Sequence, residues 1–69
     1  MPLSMVSPGC QGCIRKVLGK AETRQYLQSL GFVPGEAVSV LCLNADNLIV
    51  GIKNSRVALS RDMAMKIMV

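Results

Sequence analysis

The stretch Leu27-Gln28-Ser29-Leu30-Gly31-Phe32-Val33-Pro34-Gly35-Glu36-Ala37-Val38-Ser39-Val40 contains, in order, the end of a helix, a tight turn and the start of a strand. Upstream, Ala21 to Leu30 carries Thr23, Tyr26, Leu27 and Leu30 at helical spacing, with Glu22 near the start, where the helix dipole favours an acid. Gly31 falls where a helix ends in a left-handed residue. Phe32-Val33-Pro34-Gly35 then predicts a turn, because proline sets φ at the second turn position and glycine accepts positive φ at the third. Tyr26 and Phe32 both fall at positions that read as internal. Val38 and Val40 alternate with polar or small neighbours, so a strand with one buried face follows at once.

Downstream, Ala37 to Leu43, Leu48 to Lys53 and Arg56 to Leu59 are apolar runs separated by the turn-forming groups Asn44-Ala45-Asp46-Asn47 and Asn54-Ser55. They predict a three-stranded meander. Residues paired across an antiparallel ladder share a face, and a one-residue slip inverts every side chain. A two-residue turn at Asn54-Ser55 pairs Ile52 with Val57 and Val50 with Leu59. An odd-length first loop pairs Cys42 with Leu48, Val40 with Val50 and Val38 with Ile52, completing a uniformly apolar core wall. The opposite face then carries Leu41 beside Ile49, Ser39 beside Gly51 and Ala58, and Lys53 across from Arg56. Two like charges in that position call for an acidic neighbour. The ordinary cover for this face is the chain's own helix or first strand, and the alternative is a partner.

Upstream again, Gly9 to Leu18 mixes glycines with Ile14, Val17 and Leu18 and reads as a first strand with a bend. At the other end Ser60 caps a short turn through Asp62, Met63 and Ala64, and Ile67-Met68-Val69 supplies a last strand. The fold class expected is mainly β with one helix, a small barrel of about five strands.

At 69 residues the chain is one domain, 1–69, and a two-domain enzyme is excluded. A chain of this size buries only about 60% of its unfolded surface and has little room for an enclosed catalytic pocket. The 51% hydrophobic and 17% charged content excludes disorder, and no window approaches the ~18 apolar residues of a membrane helix. Met1 to Gly9 lacks a basic segment followed by an apolar one, so no secretory signal is expected and the location expected is cytoplasmic. Histidine is absent, which removes the commonest proton shuttle and metal ligand. The net charge of +4 permits an anionic partner without requiring one.

Cys10-Gln11-Gly12-Cys13 is the one motif with chemical content, since C-x-x-C spacing allows two thiolates to grip one metal or form a redox disulfide. Its context is strand-like rather than the helix start such pairs use. A closed zinc site needs four ligands, and Cys42 is the only further cysteine. No metal site is favoured, and Cys10, Cys13 and Cys42 are the candidate ligands. Arg15, Lys16, Lys20 and Arg24 form a basic run that serves as a solvated face or meets an acidic surface. Nucleic acid is not favoured, because only two aromatics are present to stack on bases. Glu22, Glu36, Asp46 and Asp62 are scattered and offer no carboxylate pair for acid–base chemistry. The five methionines read as gap-filling core residues.

The order Leu27, Leu30, Gly31, Phe32, Pro34-Gly35, Val38, Val40, Val50, Ile52, Ser55-Arg56, Ala58-Leu59, Ala64, Ile67 and Val69 resembles the FeoA family over nearly the whole chain. The resemblance implies an SH3-like barrel and a non-enzymatic, cytosolic accessory or regulatory protein of bacterial ferrous iron uptake. The implied partner is the FeoB-type membrane iron transporter, met on its cytosolic or membrane-proximal part, with the chain peripheral to the membrane through that partner. An SH3-like barrel offers a groove and a protruding helix for docking. The partner-binding residues expected are Arg15, Lys16, Arg24, Leu41, Ile49, Lys53 and Arg56. No cofactor is required. One alternative is a small cysteine-dependent protein binding or sensing iron or zinc, with Fe²⁺ or Zn²⁺ on those cysteines. The other is a small-barrel nucleic-acid module.

Overall fold

The helix Ala21–Ser29 (α1) ends as its sequence dictates. Gly31 has φ of +105°, its N–H donates to Gln28 O and the Phe32 N–H to Leu27 O, both at 3.0 Å, which is a Schellman cap. The cap turns Phe32 inward, where it is fully buried with Leu27. The next turn closes through Glu36 N–H to Val33 O at 3.1 Å, with Gly35 at φ +93°, the type II geometry expected of Pro-Gly. The description rests on a computed structural model covering residues 1–69.

Four strands form an antiparallel sheet in the order β1 (Gln11–Cys13), β3 (Ala37–Asn44), β4 (Asn47–Ile52) and β5 (Ser55–Ser60). A separate two-stranded ribbon pairs β2 (Lys16–Val17) with β6 (Ile67–Met68). The expected first strand thus divides at Ile14 and Arg15, which raises the strand number to six. The bend is held by the Pro-Gly turn: Ile14 N–H donates to Glu36 O and Gly35 N–H to Ile14 O, both at 2.8 Å. A short helix, Arg61–Ala64 (α2), links β5 to β6, and the Ser60 Oγ caps it by accepting from Met63 N–H at 3.3 Å.

The core wall holds with one exception. Val38, Val40, Leu48, Val50, Ile52 and Leu59 are buried and Val57 packs half-buried against them, whereas Cys42 is exposed. The first hairpin has a two-residue loop, Ala45-Asp46, and the odd offset comes from a β-bulge at Leu41 between the pairs Val40↔Val50 and Cys42↔Ile49. The extra residue hands the inward row from Cys42 to Leu43, which pairs with Leu48. The second hairpin turns on Lys53 and Asn54, both at positive φ, so Ile52 pairs with Ser55, Val50 with Val57 and Leu48 with Leu59. This pairing lies two residues from the one expected, and an even shift leaves every side chain on its expected face. Lys53 is therefore a turn residue and does not oppose Arg56, which pairs with Gly51.

Two burials differ from expectation. Tyr26 is exposed, because α1 turns only the side around Leu27, with Leu30 beside it, toward the core. Leu3 is fully buried on a single 3₁₀ turn, Leu3–Met5, and Pro2 bridges to Met68, so the N-terminal segment plugs the core beside Ile67 and Ala64. Leu3→Ala should destabilise the fold by about 2–5 kcal/mol. Urea unfolding followed by circular dichroism measures this, and a loss below about 1 kcal/mol means that Leu3 is not a core plug.

Candidate docking surface

Strand alternation gives the four-stranded sheet an outer row of Gln11 and Cys13 from β1, Ala37, Ser39 and Leu41 from β3, Ile49 and Gly51 from β4, and Arg56 and Ala58 from β5. None of these residues is buried. Neither α1 nor β1 covers this face; β1 extends it at one edge. Its centre is low, because Ser39, Gly51 and Ala58 are small. The bulged Leu41 leans across it, such that a Cβ on Gly51 would stand 3.8 Å from the Leu41 side chain. Ser39 Oγ donates to Gln11 Oε1 at 3.4 Å at the β1 side. Arg56 supplies the only charge in the row and has no ion-pair partner.

The expected partner-binding residues fall in separate places. Leu41, Ile49 and Arg56 share the outer face. Lys53 sits at the hairpin tip, where its Nζ lies 3.7 Å from Glu36 Oε1, the acidic neighbour the sequence called for. Its stem also lies against Gly31, the Lys53 Cδ standing 3.4 Å from where a Gly31 Cβ would be. Arg24 lines a different groove with Val17, Gln28, Phe32, Val33 and Pro34. Arg15 and Lys16 are exposed along the β2–β6 ribbon, Arg15 N–H donating to Met68 O at 2.7 Å. The basic run is therefore not one patch.

The cysteines also separate. Cys10 lies just before β1 and Cys13 is its last residue. Cys10 lies in a groove with Met1, Met5, Gly12 and Val69, while Cys13 joins the outer row. Cys42 lies beyond the bulge on β3. All three are exposed, and no group of three Cys, Asp or Glu side chains is placed to hold a metal ion. Met1, Met5 and Met65, which read from the sequence as gap-filling core residues, are exposed. A pattern that repeats every second residue cannot show a bulge, so the outward turn of Cys42 carried no signal in the sequence.

A small barrel closed by two sheets, with one open sheet face, is the architecture of SH3-like domains. The FeoA domain matches residues 1–69, and the chain belongs to the FeoA family. Similar solved structures include the iron uptake regulatory protein FeoA, 31% identical, with 97% of this chain and 91% of that one aligned and a TM-score of 0.90. The zinc-complexed FeoA of Stenotrophomonas maltophilia, described as a prokaryotic SH3 domain protein, is 24% identical over 99% of this chain and 87% of its own, with a TM-score of 0.86. A manganese-dependent transcriptional repressor shares the fold at 21% identity and a TM-score of 0.88, with 97% of this chain aligned to 39% of the repressor. No curated protein matches the chain by sequence. Family membership gives the chain a role in ferrous iron transport. No helix is long and apolar enough to cross a membrane.

Because the thiols are exposed and separate, Cys10→Ser and Cys13→Ser should each shift unfolding stability by no more than about 0.5 kcal/mol under reducing conditions. Thermal unfolding with and without a chelator checks this, and a chelator-dependent loss in the wild type alone would show a metal shared by those thiols.

Proposed function

We propose that the chain is a non-enzymatic, cytoplasmic accessory protein that docks on the FeoB-type ferrous iron transporter and regulates uptake without forming part of the transport path. The observation that carries this reading is the open outer face: a four-stranded sheet surface with Leu41 41% exposed, Ile49 half-buried and Arg56 unpaired. Antiparallel sheets often leave one face to water, but such faces are then polar, whereas this row is mainly small and apolar with a single cation. A face of this kind gains by covering apolar area and by giving Arg56 a carboxylate.

Membership of the FeoA family, together with the FeoA from Stenotrophomonas maltophilia described as a candidate activating factor of bacterial ferrous iron transport, supports the transporter as the protein met there. The zinc of that relative belongs to that relative. Here the two thiols of the C-x-x-C diverge, so direct metal sensing through Cys10 and Cys13 has less support than docking.

Tagged protein, recovered from gently solubilised membranes of its native cells, should bring the ferrous iron transporter with it. Leu41→Glu should lower that recovery roughly tenfold, since a charge replaces a central apolar contact, while the melting temperature stays within a few degrees. Full recovery with the folded Leu41→Glu protein would move docking off this face.

A further inference from the structure

β5 is the last strand of the four-stranded sheet and is bonded on one side only. The two-residue turn at Lys53-Asn54 makes Ile52↔Ser55 the closing hydrogen-bonded pair of its hairpin. Antiparallel alternation then makes Val50↔Val57 and Leu48↔Leu59 the next bonded pairs. Gly51↔Arg56 and Ile49↔Ala58 are the pairs between them, whose β5 members turn their N–H and C=O groups away from β4. No backbone or side-chain bond elsewhere in the chain uses those groups of Arg56 and Ala58.

Open edges of this kind are usually blunted by proline, a bulge, shortness or several charges. β5 has six residues, no proline, no bulge and one charge, Arg56. Charge selects the occupant. Lys53 is engaged by Glu36, whereas Arg56 has no partner, and no acid lies between Lys53 and Ser60. A second copy would bring two cationic edges together on chains that each carry +4. An acidic segment would instead neutralise Arg56 while satisfying the free backbone groups.

We infer that the open edge of β5 receives an extended acidic segment of the partner as an added strand. The free backbone groups of Arg56 and Ala58 make the ladder, and the Arg56 guanidinium meets a carboxylate. This rests on the docking reading and specifies how part of the partner is held.

The test uses the full chain labelled with ¹⁵N and two short capped peptides, one alternating Glu and Val and the other Lys and Val. Saturating Glu-Val peptide should slow amide exchange at Arg56 and Ala58 by about tenfold or more, and the Lys-Val peptide should not. Ala58→Pro removes an outward N–H that the β4 ladder does not use, a position where an edge strand tolerates proline, and should abolish that protection. Arg56→Glu, which leaves the backbone intact and carries the test if the proline variant fails to fold, should weaken the peptide roughly fivefold. Unchanged exchange, equal binding of the two peptides, or protection that grows with protein concentration alone would overturn the inference, the last by giving the edge to a second copy. Recovery of the transporter by folded Ala58→Pro protein but not by Leu41→Glu would sink the edge and keep the docking face. Protection by the Glu-Val peptide with no transporter recovered by the wild type would keep the edge and sink the transporter.

Discussion

Two reciprocal backbone bonds between Ile14 and the Pro34-Gly35 turn hold the barrel together. Gly35 N–H donates to Ile14 O, and Ile14 N–H to Glu36 O. They fix the bend that lets one length of chain serve the four-stranded sheet as β1 and the ribbon as β2. Gly31 and Gly35 are needed because both adopt φ near +100°, where a Cβ is strained. With the turn held there, Phe32 enters the core from the helix end and Ile14 from the strand bend, and Leu27 packs with both in a single buried cluster.

The second constraint is the bulge at Leu41. An extra residue in β3 shifts the inward row after Val40, placing Cys42 outside and laying Leu41 across Gly51. The same bulge thus removes a thiol from the core and builds the raised part of the sheet's outer face. A sheet with small residues at its centre and no helix over it carries unfinished apolar surface, and its last strand leaves backbone groups without partners. Both features support the docking proposed for this surface, because an exposed row of small and apolar residues with the single charge of Arg56 gains by being covered.

The separation of the cysteines follows from geometry as elementary as the bulge. A C-x-x-C on a helix start brings two thiols together, but here Cys10 precedes β1 and Cys13 ends it. Cys10 therefore shares a groove with methionines, while Cys13 looks outward. The same spacing carries different chemistry according to the backbone beneath it.

Much of this was legible in the sequence because it depends on local backbone chemistry. The helix end at Leu30-Gly31, the Pro-Gly turn, the Ser60 cap and the apolar faces of β3 to β5 each follow from residues within a few positions of one another. The inward rows survived a wrong turn position because an even register shift preserves facing. What depended on distant contacts was not legible. The burial of Leu3 requires Ile67 and Ala64 beside it, and the exposure of Tyr26 requires knowing which side of α1 meets the sheet. The bulge breaks a period-two pattern at a point the pattern cannot mark. Strand register alone places Leu41, Ile49 and Arg56 on one face, whereas only the assembled structure shows that Lys53 sits in the hairpin turn and that Arg15, Lys16 and Arg24 lie away from that face. The sequence alone determined the helix and its cap, the Pro-Gly turn and the inward rows of β3 to β5 apart from Cys42, because these are set by φ preferences and periodicity between near neighbours. Tertiary structure alone decided which side chains and which backbone edge stay uncovered, because exposure depends on what the rest of the chain places nearby.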